Sequence, residues 1–241
     1  MLAASLTMGL VECDLPLFAP FLNAYTVPPA PTLFKARDKG CVEGDWLRLF
    51  FVTGNDNKLR EVKEILKQLA PSVEVVGVDL GVKERKLDSL EEVAAEEARE
   101  AYARLQEPLF VEDAGLFIEA LNGFPGPYSA YVYRTIGNEG ILKLMKGVED
   151  RRAAFKSAIA LCLRPGRLLL FTGVVEGEVA YEARGGGWGF DPIFAPRGAG
   201  GLTFGELGQA KNQLSHRRRA LESMANYLLS LREEKLKSLP T

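Results

Sequence analysis

An α/β domain is what the chain predicts from residue 46 onward, on three observations. A short apolar run, Leu47 to Val52, is followed at once by a polar turn and then by a helix-periodic stretch. A second apolar run, Leu109-Phe110-Val111, ends on two adjacent carboxylates, Glu112 and Asp113. Two longer apolar segments, Ala153 to Leu163 and Leu168 to Val175, flank a Pro165-Gly166-Arg167 turn, the pattern of a hairpin. Strands interleaved with helices belong to the α/β class.

Composition bounds what such a domain can do. The 241 residues are 47% hydrophobic and 26% charged, in the range of ordinary globular proteins, and suffice for one large domain or two small lobes. A net charge of −2 provides no basic field for general nucleic-acid binding. Cys13, Cys41 and Cys162 are odd in number and far apart, which argues against a disulfide framework and a cysteine zinc site. His216 is the only histidine, so clustered-histidine metal sites are excluded. No apolar run reaches membrane-spanning length. Residues 1–45 differ from the rest: Pro16, Pro20, Pro28, Pro29 and Pro31 discourage long helices, and Glu12 and Asp14 break the first apolar run. A secretory signal is not expected there, and a cytoplasmic protein is. The segment reads either as an accessory extension or as translation from a start assigned too early.

In chain order, the first strand is Leu47 to Val52, and Thr53-Gly54-Asn55-Asp56-Asn57-Lys58 follows it. Leu59, Val62, Leu66 and Leu69 then fall on one helical face, ending before Pro71. Strand, polar turn and helix start form a phosphate-binding geometry, with unpaired helix amides and Lys58 facing an anion. An ordinary turn with an Asn or Asp cap fits the same residues. The spacing is not that of a Walker A loop. Val73 to Val78 is a second strand; Ser89 with Glu92 forms a capping box for a helix that buries Leu90, Val93, Ala94, Ala98, Ala101 and Leu105. Glu84, in the link ahead of it, is either a surface ion-pair member or a metal ligand reaching toward Asp113.

At Glu112-Asp113 the strand periodicity sends the two acids to opposite faces, so they should not share one environment. One can serve a ligand at the strand's carboxyl end while the other is held elsewhere. Solvated acids on a surface turn are the alternative. Ala114 and Gly115 leave room for close approach, and Gly123 to Pro127 forms a stiff loop. Asn138 to Met145 is a short helix closed by Gly147. The hairpin is expected to gain a third strand near Glu178 to Tyr181. In Gly185 to Pro192, Trp188 or Phe190 stacks on a flat base, or both plug the core. Ser215 caps the last helix, whose buried face is Leu221, Met224, Leu228 and Leu231. His216 and Arg217 then stand in its first turn, against the helix dipole, where an anionic or carbonyl-bearing ligand would relieve the conflict. The alternative is a basic, solvated helix start. Together the segments describe a nucleotide site with a carboxylate-held divalent metal.

The motifs Thr53 to Lys58, Val111-Glu112-Asp113-Ala114-Gly115, Gly123 to Ser129, Trp188-Gly189-Phe190-Asp191-Pro192 and Ser215-His216-Arg217 occur in the order found in the inosine triphosphate pyrophosphatases, and the chain resembles that family over roughly residues 47–232. The resemblance implies an elongated mixed central sheet with two lobes and a nucleotide cleft between them. It places that domain at residues 46–236. It implies hydrolysis of ITP, dITP or XTP to the monophosphate and pyrophosphate, with Mg2+ as cofactor, in a homodimer without nucleic-acid or membrane partners. Carried over by position, Asp113 is the general base or water-orienting acid, and Glu84 and Asp113 hold the metal, with Glu112 as the other nearby acid. Thr53, Gly54, Asn55, Asp56, Asn57 and Lys58 hold the triphosphate, with Ala114 beside them. Trp188, Gly189, Phe190, Asp191, Lys211, His216 and Arg217 hold the base and the neighbouring phosphate. Two positions depart from the family: Trp-Gly-Phe-Asp stands where Phe-Gly-Trp or Phe-Gly-Tyr is commoner, and Ala114 replaces a frequent serine. A non-catalytic nucleotide sensor would need the phosphate loop but not both Glu84 and Asp113. A nucleic-acid module using Arg217 to Arg219 predicts salt-sensitive oligonucleotide binding.

Overall fold

The computed structural model describes residues 47–82 and 87–237. The N-terminal extension and Glu84 lie outside the described residues. The elements in order are β1 Leu47–Val52, α1 Asp56–Leu69, β2 Val73–Val78, α2 Leu90–Leu105, β3 Leu109–Ile118, α3 Ser129–Thr135, α4 Gly137–Leu144, β4 Arg152–Arg164, β5 Arg167–Val179, β6 Phe194–Pro196, α5 Phe204–Leu207, α6 Lys211–Leu214 and α7 His216–Lys237. Six strands form one sheet in the order β2-β1-β3-β4-β5-β6. The β1 pairings to β2 and β3 are parallel, and all pairings from β3 to β6 are antiparallel. The sheet is therefore mixed, as the resemblance implied. No helix among the described residues is long and apolar enough to cross a membrane.

Three apolar clusters hold these layers. On one face of the sheet, Val62, Ile65 and Leu66 of α1 and Leu221, Met224 and Leu228 of α7 pack on Leu49, Phe51 and Phe110. On the other face, α2 lays its Ala94, Ala98 and Ala101 stripe against Val111, Ala158 and Ala160, small residues that let helix and sheet approach closely. The third cluster lies toward the far end of the long β4–β5 hairpin, where Leu116, Ile141, Phe155, Val175, Phe194 and Phe204 meet. Separate clusters along one sheet give the molecule a lobe at each end. At 25–30 cal/mol per Å² of buried apolar area, burying any of these aliphatic side chains contributes about 1.5–3 kcal/mol.

Two strands depart from the sequence reading. β3 does not stop at Val111: ten residues pair with β4, from Leu109 opposite Cys162 to Ile118 opposite Ala153. Glu112 and Asp113 therefore sit in mid-strand, not at its carboxyl end. Leu116 and Ile118, both fully buried, give the strand an apolar reason to continue past the acids. The third meander strand is not at 178–181; Glu178 and Val179 complete β5, and Phe194–Pro196 pairs with Gly177 to Val179 instead. The Ser89 side chain accepts from the Glu92 amide at 3.2 Å, but the Glu92 carboxylate accepts from the Ser89 hydroxyl rather than from its backbone, so half of the expected capping box forms.

Two glycines fix where the site elements meet. A Cβ on Gly115 would stand 2.2 Å from the Gly126 carbonyl oxygen, so only glycine lets the 123–127 loop lie on β3. Ser129, at the start of α3, locks that contact: its hydroxyl accepts from the Leu116 amide at 2.8 Å and donates to Gly126 O at 2.7 Å. A Cβ on Gly173 would stand 2.1 Å from the His216 carbonyl oxygen, which lets the first turn of α7 press onto β5.

Candidate nucleotide site

The turn after β1 is ordered by its own side chains. Thr53 Oγ1 accepts from the Asn55 amide at 3.1 Å. Asn55 is the cap of α1, and its Oδ1 accepts from the amides of Asn57 at 3.0 Å and Lys58 at 3.1 Å. Two of the helix amides that the sequence left for an anion are thus already bonded. The asparagine cap expected of an ordinary turn is therefore present. What α1 presents instead is Lys58, whose Nζ donates to the Glu112 carbonyl at 2.9 Å and stands 3.1 Å from Glu112 Oε2 and 3.9 Å from Asp113 Oδ1.

Lys58 opens a chain of alternating charge. Glu112 Oε1 accepts from Ser157 Oγ at 2.7 Å and lies 3.1 Å from Arg217 Nη2. Arg217 Nη1 donates to Glu61 Oε2. Glu61 Oε1 accepts from Trp188 Nε1 at 2.8 Å and from Lys211 Nζ at 2.9 Å. Lys211 Nζ also donates to Asp191 Oδ2 at 2.8 Å. Arg217 is 1% exposed, so its charge is held in place of water by two carboxylates. This pairing answers the dipole conflict at the start of α7: the cation there is offset by Glu61 and Glu112, from α1 and β3. Ser215 Oγ caps α7 by accepting from the Arg218 amide at 3.1 Å.

The alternation of β3 separates the two acids as expected. Glu112 shares a face with Phe110, toward α1 and α7, and its side chain is 0% exposed; Asp113 points to the α2 face and keeps 21% of its side chain exposed. Burial alone would raise the Glu112 pKa, but Arg217, Lys58 and the Ser157 hydroxyl hold it far below the carboxylate range. Glu61 is lowered in the same way, burial being outweighed by Arg217 and Lys211. Asp191 is raised, because burial outweighs Lys211 and the Glu61 charge adds to it.

His216 stacks on Phe155 with ring centroids 4.6 Å apart and planes 8° from parallel. Burial first, then repulsion from Arg217 and Lys211, holds its pKa well below the usual 6.5 against the pull of Glu112. The unfolded chain therefore binds this proton more readily than the folded one. Stability is full above about pH 6.5 and falls as pH drops through the window below it, by up to ~1.4 kcal/mol per pH unit. Glu61 and Glu112 add a loss of the same sign only near and below the ordinary carboxylate range, and Asp191, being raised, opposes it. His216→Phe, which keeps the stack, is expected to flatten the fall between pH 6.5 and 5 by about one proton in chemical denaturation. An unchanged slope would place the titration elsewhere.

One cavity of about 760 Å³, nucleotide-sized, collects these parts. Every described residue assigned to the site from the sequence lines it: Thr53 to Lys58, Asp113, Ala114, Trp188 to Asp191, Lys211, His216 and Arg217. His216 and Arg217 line the cavity, and His216 Nδ1 and Arg217 Nε are buried without a hydrogen-bond partner among the described residues. A second depression, about 490 Å³ beside Arg151 and Tyr181, shares none of these residues. There the Arg151 guanidinium is satisfied by the carbonyls of Met145, Val179 and Ala180. The sequence reading missed Glu61, which binds three site residues at once. An acid three positions after Lys58, beside Val62 of the buried stripe, was the available signal. It also missed α3, whose Tyr133 and Arg134 line the cavity, together with Asp79 and Glu97.

A mixed sheet with a charged cavity lined by the starts of α1 and α7 and by the Trp188 loop is an α/β protein built around a nucleotide-sized cleft. Comparison with known proteins gives that class a family. The Ham1 family profile matches residues 49–227, and the chain belongs to the Ham1 family. It is 52% identical over 183 residues to a dITP/XTP pyrophosphatase of Methanopyrus kandleri, covering 75% of this chain and 96% of that protein. It is 44% identical over 188 residues to one from Korarchaeum cryptofilum, covering 78% of this chain and all (100%) of that protein. A HAM1 protein from Coxiella burnetii superimposes with a TM-score of 0.67 at 31% identity, over 76% of this chain and 99% of that one. The Staphylococcus aureus Ham1 protein gives 0.66 at 29%, over 76% and 98%. The resemblance read from the motifs is borne out.

Proposed function

We propose that residues 46–236 hydrolyse dITP, ITP and XTP between the α and β phosphates, releasing the monophosphate and pyrophosphate and so clearing non-standard purines from the nucleotide pool. The observation that carries this reading is the convergence of five separated segments on one cavity, in a chain 52% identical to a protein named for dITP and XTP hydrolysis.

In this reading the Thr53 to Lys58 end receives the triphosphate and the Trp188 end receives the base. Asp113 orients or deprotonates the attacking water. Glu112 is unsuited to that task, because Arg217, Lys58 and Ser157 already take its oxygens. Magnesium binds through one or two carboxylates plus substrate oxygens rather than in an all-protein cage. The donor set fits that habit: no group of three or more His, Cys, Asp or Glu forms a cage among the described residues, while Asp79, Glu97 and Asp113 line the cavity. Asp113, with Glu84 by resemblance, would hold the ion, which supplies charge neutralisation at the phosphates. At the other end, a 6-keto oxygen is an acceptor for donors on His216 and Arg217. Adenine would bring an amino donor to the same place and leave them unmet, which is costly. The resemblance adds a homodimer and a cytoplasmic location to the proposal; light scattering tests the first.

Pyrophosphate release from dITP, XTP, dATP and dGTP, with and without magnesium, tests the reading. The expected result is metal-dependent turnover of dITP and XTP well above the other two. Binding of dITP without turnover would favour a sensor, and equal turnover of all four would remove the base selectivity.

A further inference from the structure

The rings around the base end are not equally available to a ligand. Phe190 is 3% exposed and belongs to the third apolar cluster. Phe155 is 7% exposed and its face is taken by His216. Trp188 is tied through Nε1 to Glu61, and Lys211 Nζ and the Arg217 guanidinium stand 5.0 and 5.4 Å from its ring centroid. Tyr133 also lines the cavity and is 42% exposed.

Tyr133 is held in place by its surroundings. Ser129, Ala130, Tyr133 and Arg134 line the cavity, at the i, i+1, i+4, i+5 spacing of a single helix face. The Ser129 hydroxyl anchors the start of that helix to β3 and the 123–127 loop. The Tyr133 ring meets Phe190 edge to face, with centroids 5.5 Å apart and planes at 85°. Just beyond the helix, Asn138 Nδ2 donates to Gly189 O at 3.2 Å, so α4 is bonded to the same glycine loop. A partly exposed ring is thus fixed by a buried one.

From this geometry we infer that Tyr133 supplies the aromatic surface on which the purine of the bound nucleotide packs, with Phe190 as its support. The inference rests on the proposed reaction for the identity of the ligand, and assigns a base-contacting role to α3 rather than to Phe190 of the glycine loop. Loss of an aromatic base contact weakens binding by roughly fivefold to a hundredfold.

The test is calorimetric titration of the full chain, unmodified and as Tyr133→Ala and Tyr133→Phe, with dIMP and separately with magnesium pyrophosphate. Tyr133→Ala is expected to weaken dIMP about tenfold while leaving pyrophosphate unchanged, and Tyr133→Phe to restore dIMP affinity. The pyrophosphate arm reports an intact fold. Unchanged dIMP affinity in Tyr133→Ala, or equal loss of both ligands, overturns the assignment. Turnover of dITP by the unmodified protein is scored separately. Turnover without the dIMP contrast removes only the Tyr133 role; the contrast without turnover removes only the reaction.

Discussion

Asp113→Asn should lower pyrophosphate release from dITP by about 10²- to 10⁴-fold, the usual contribution of a positioned general base, while nucleotide affinity stays largely intact. The substitution keeps the shape of the side chain and removes its basicity and its charge. Binding should survive because the contacts proposed to hold the nucleotide lie elsewhere, on Lys58, Trp188, Lys211 and Arg217, which line the same cavity. The neighbouring acid cannot take over the task. Glu112 is fully buried, bonded to Ser157 and paired with Arg217 and Lys58. A one-residue slip of β3 would exchange the two acids, so ten paired positions with β4 matter to the proposed chemistry as well as to the fold. Single-turnover kinetics separates the chemical step from release. Turnover unchanged in Asp113→Asn would take this residue out of the mechanism.

How much of this was legible before the structure depends on the range of the signal. β1, α1, β2, α2 and the β4–β5 hairpin follow from local periodicity, and their ends fall close to where Pro71, Ser89 and Pro165-Gly166 put them. The motif residues were legible one by one, because small, charged and aromatic side chains in glycine-rich surroundings are conspicuous. Their partners were less so. The run of β3 beyond Asp113 is decided by pairing with β4, a partner distant in sequence, and no local pattern in Ala114-Gly115 announces it. The short β6 has three residues and exists because Gly177 lets Ala195 approach, a contact known only from the fold. α3 hides in Tyr128 to Thr135, where aromatic and β-branched residues weaken the helical signature. Ser157 meets Glu112 diagonally across two strands, a relation that appears once the register is fixed.

Glu61→Ala is expected to lower the free energy of unfolding by about 3 kcal/mol, the low end of the range for breaking a buried ion pair. The sign is not obvious from counting charges. Glu61, Glu112, Asp113 and Asp191 face Lys58, Lys211 and Arg217, so removing one acid brings the numbers level. Distance decides the matter. Lys211 and Arg217 are 4% and 1% exposed, and among the described residues Glu61 is one of two carboxylates paired with each. Asp113 lies beyond Lys58 and cannot replace it. Asp191 offers a partial offset: the Glu61 charge helps to raise its pKa, so without Glu61 it ionises more readily and holds Lys211 more firmly. That offset places the expected loss at the low end. Arg217 has no such relief and must rely on Glu112. Glu61→Gln, which keeps an oxygen for the Trp188 indole but not the charge, should fall between the two. Because this carboxylate bonds directly to Trp188, Lys211 and Arg217, the same variants should raise KM for dITP. Thermal and chemical denaturation beside steady-state kinetics reads both effects. A loss below ~1 kcal/mol, the scale of an exposed ion pair, would mean that Glu61 does not hold the Trp188–Lys211–Arg217 network together and that water reaches it.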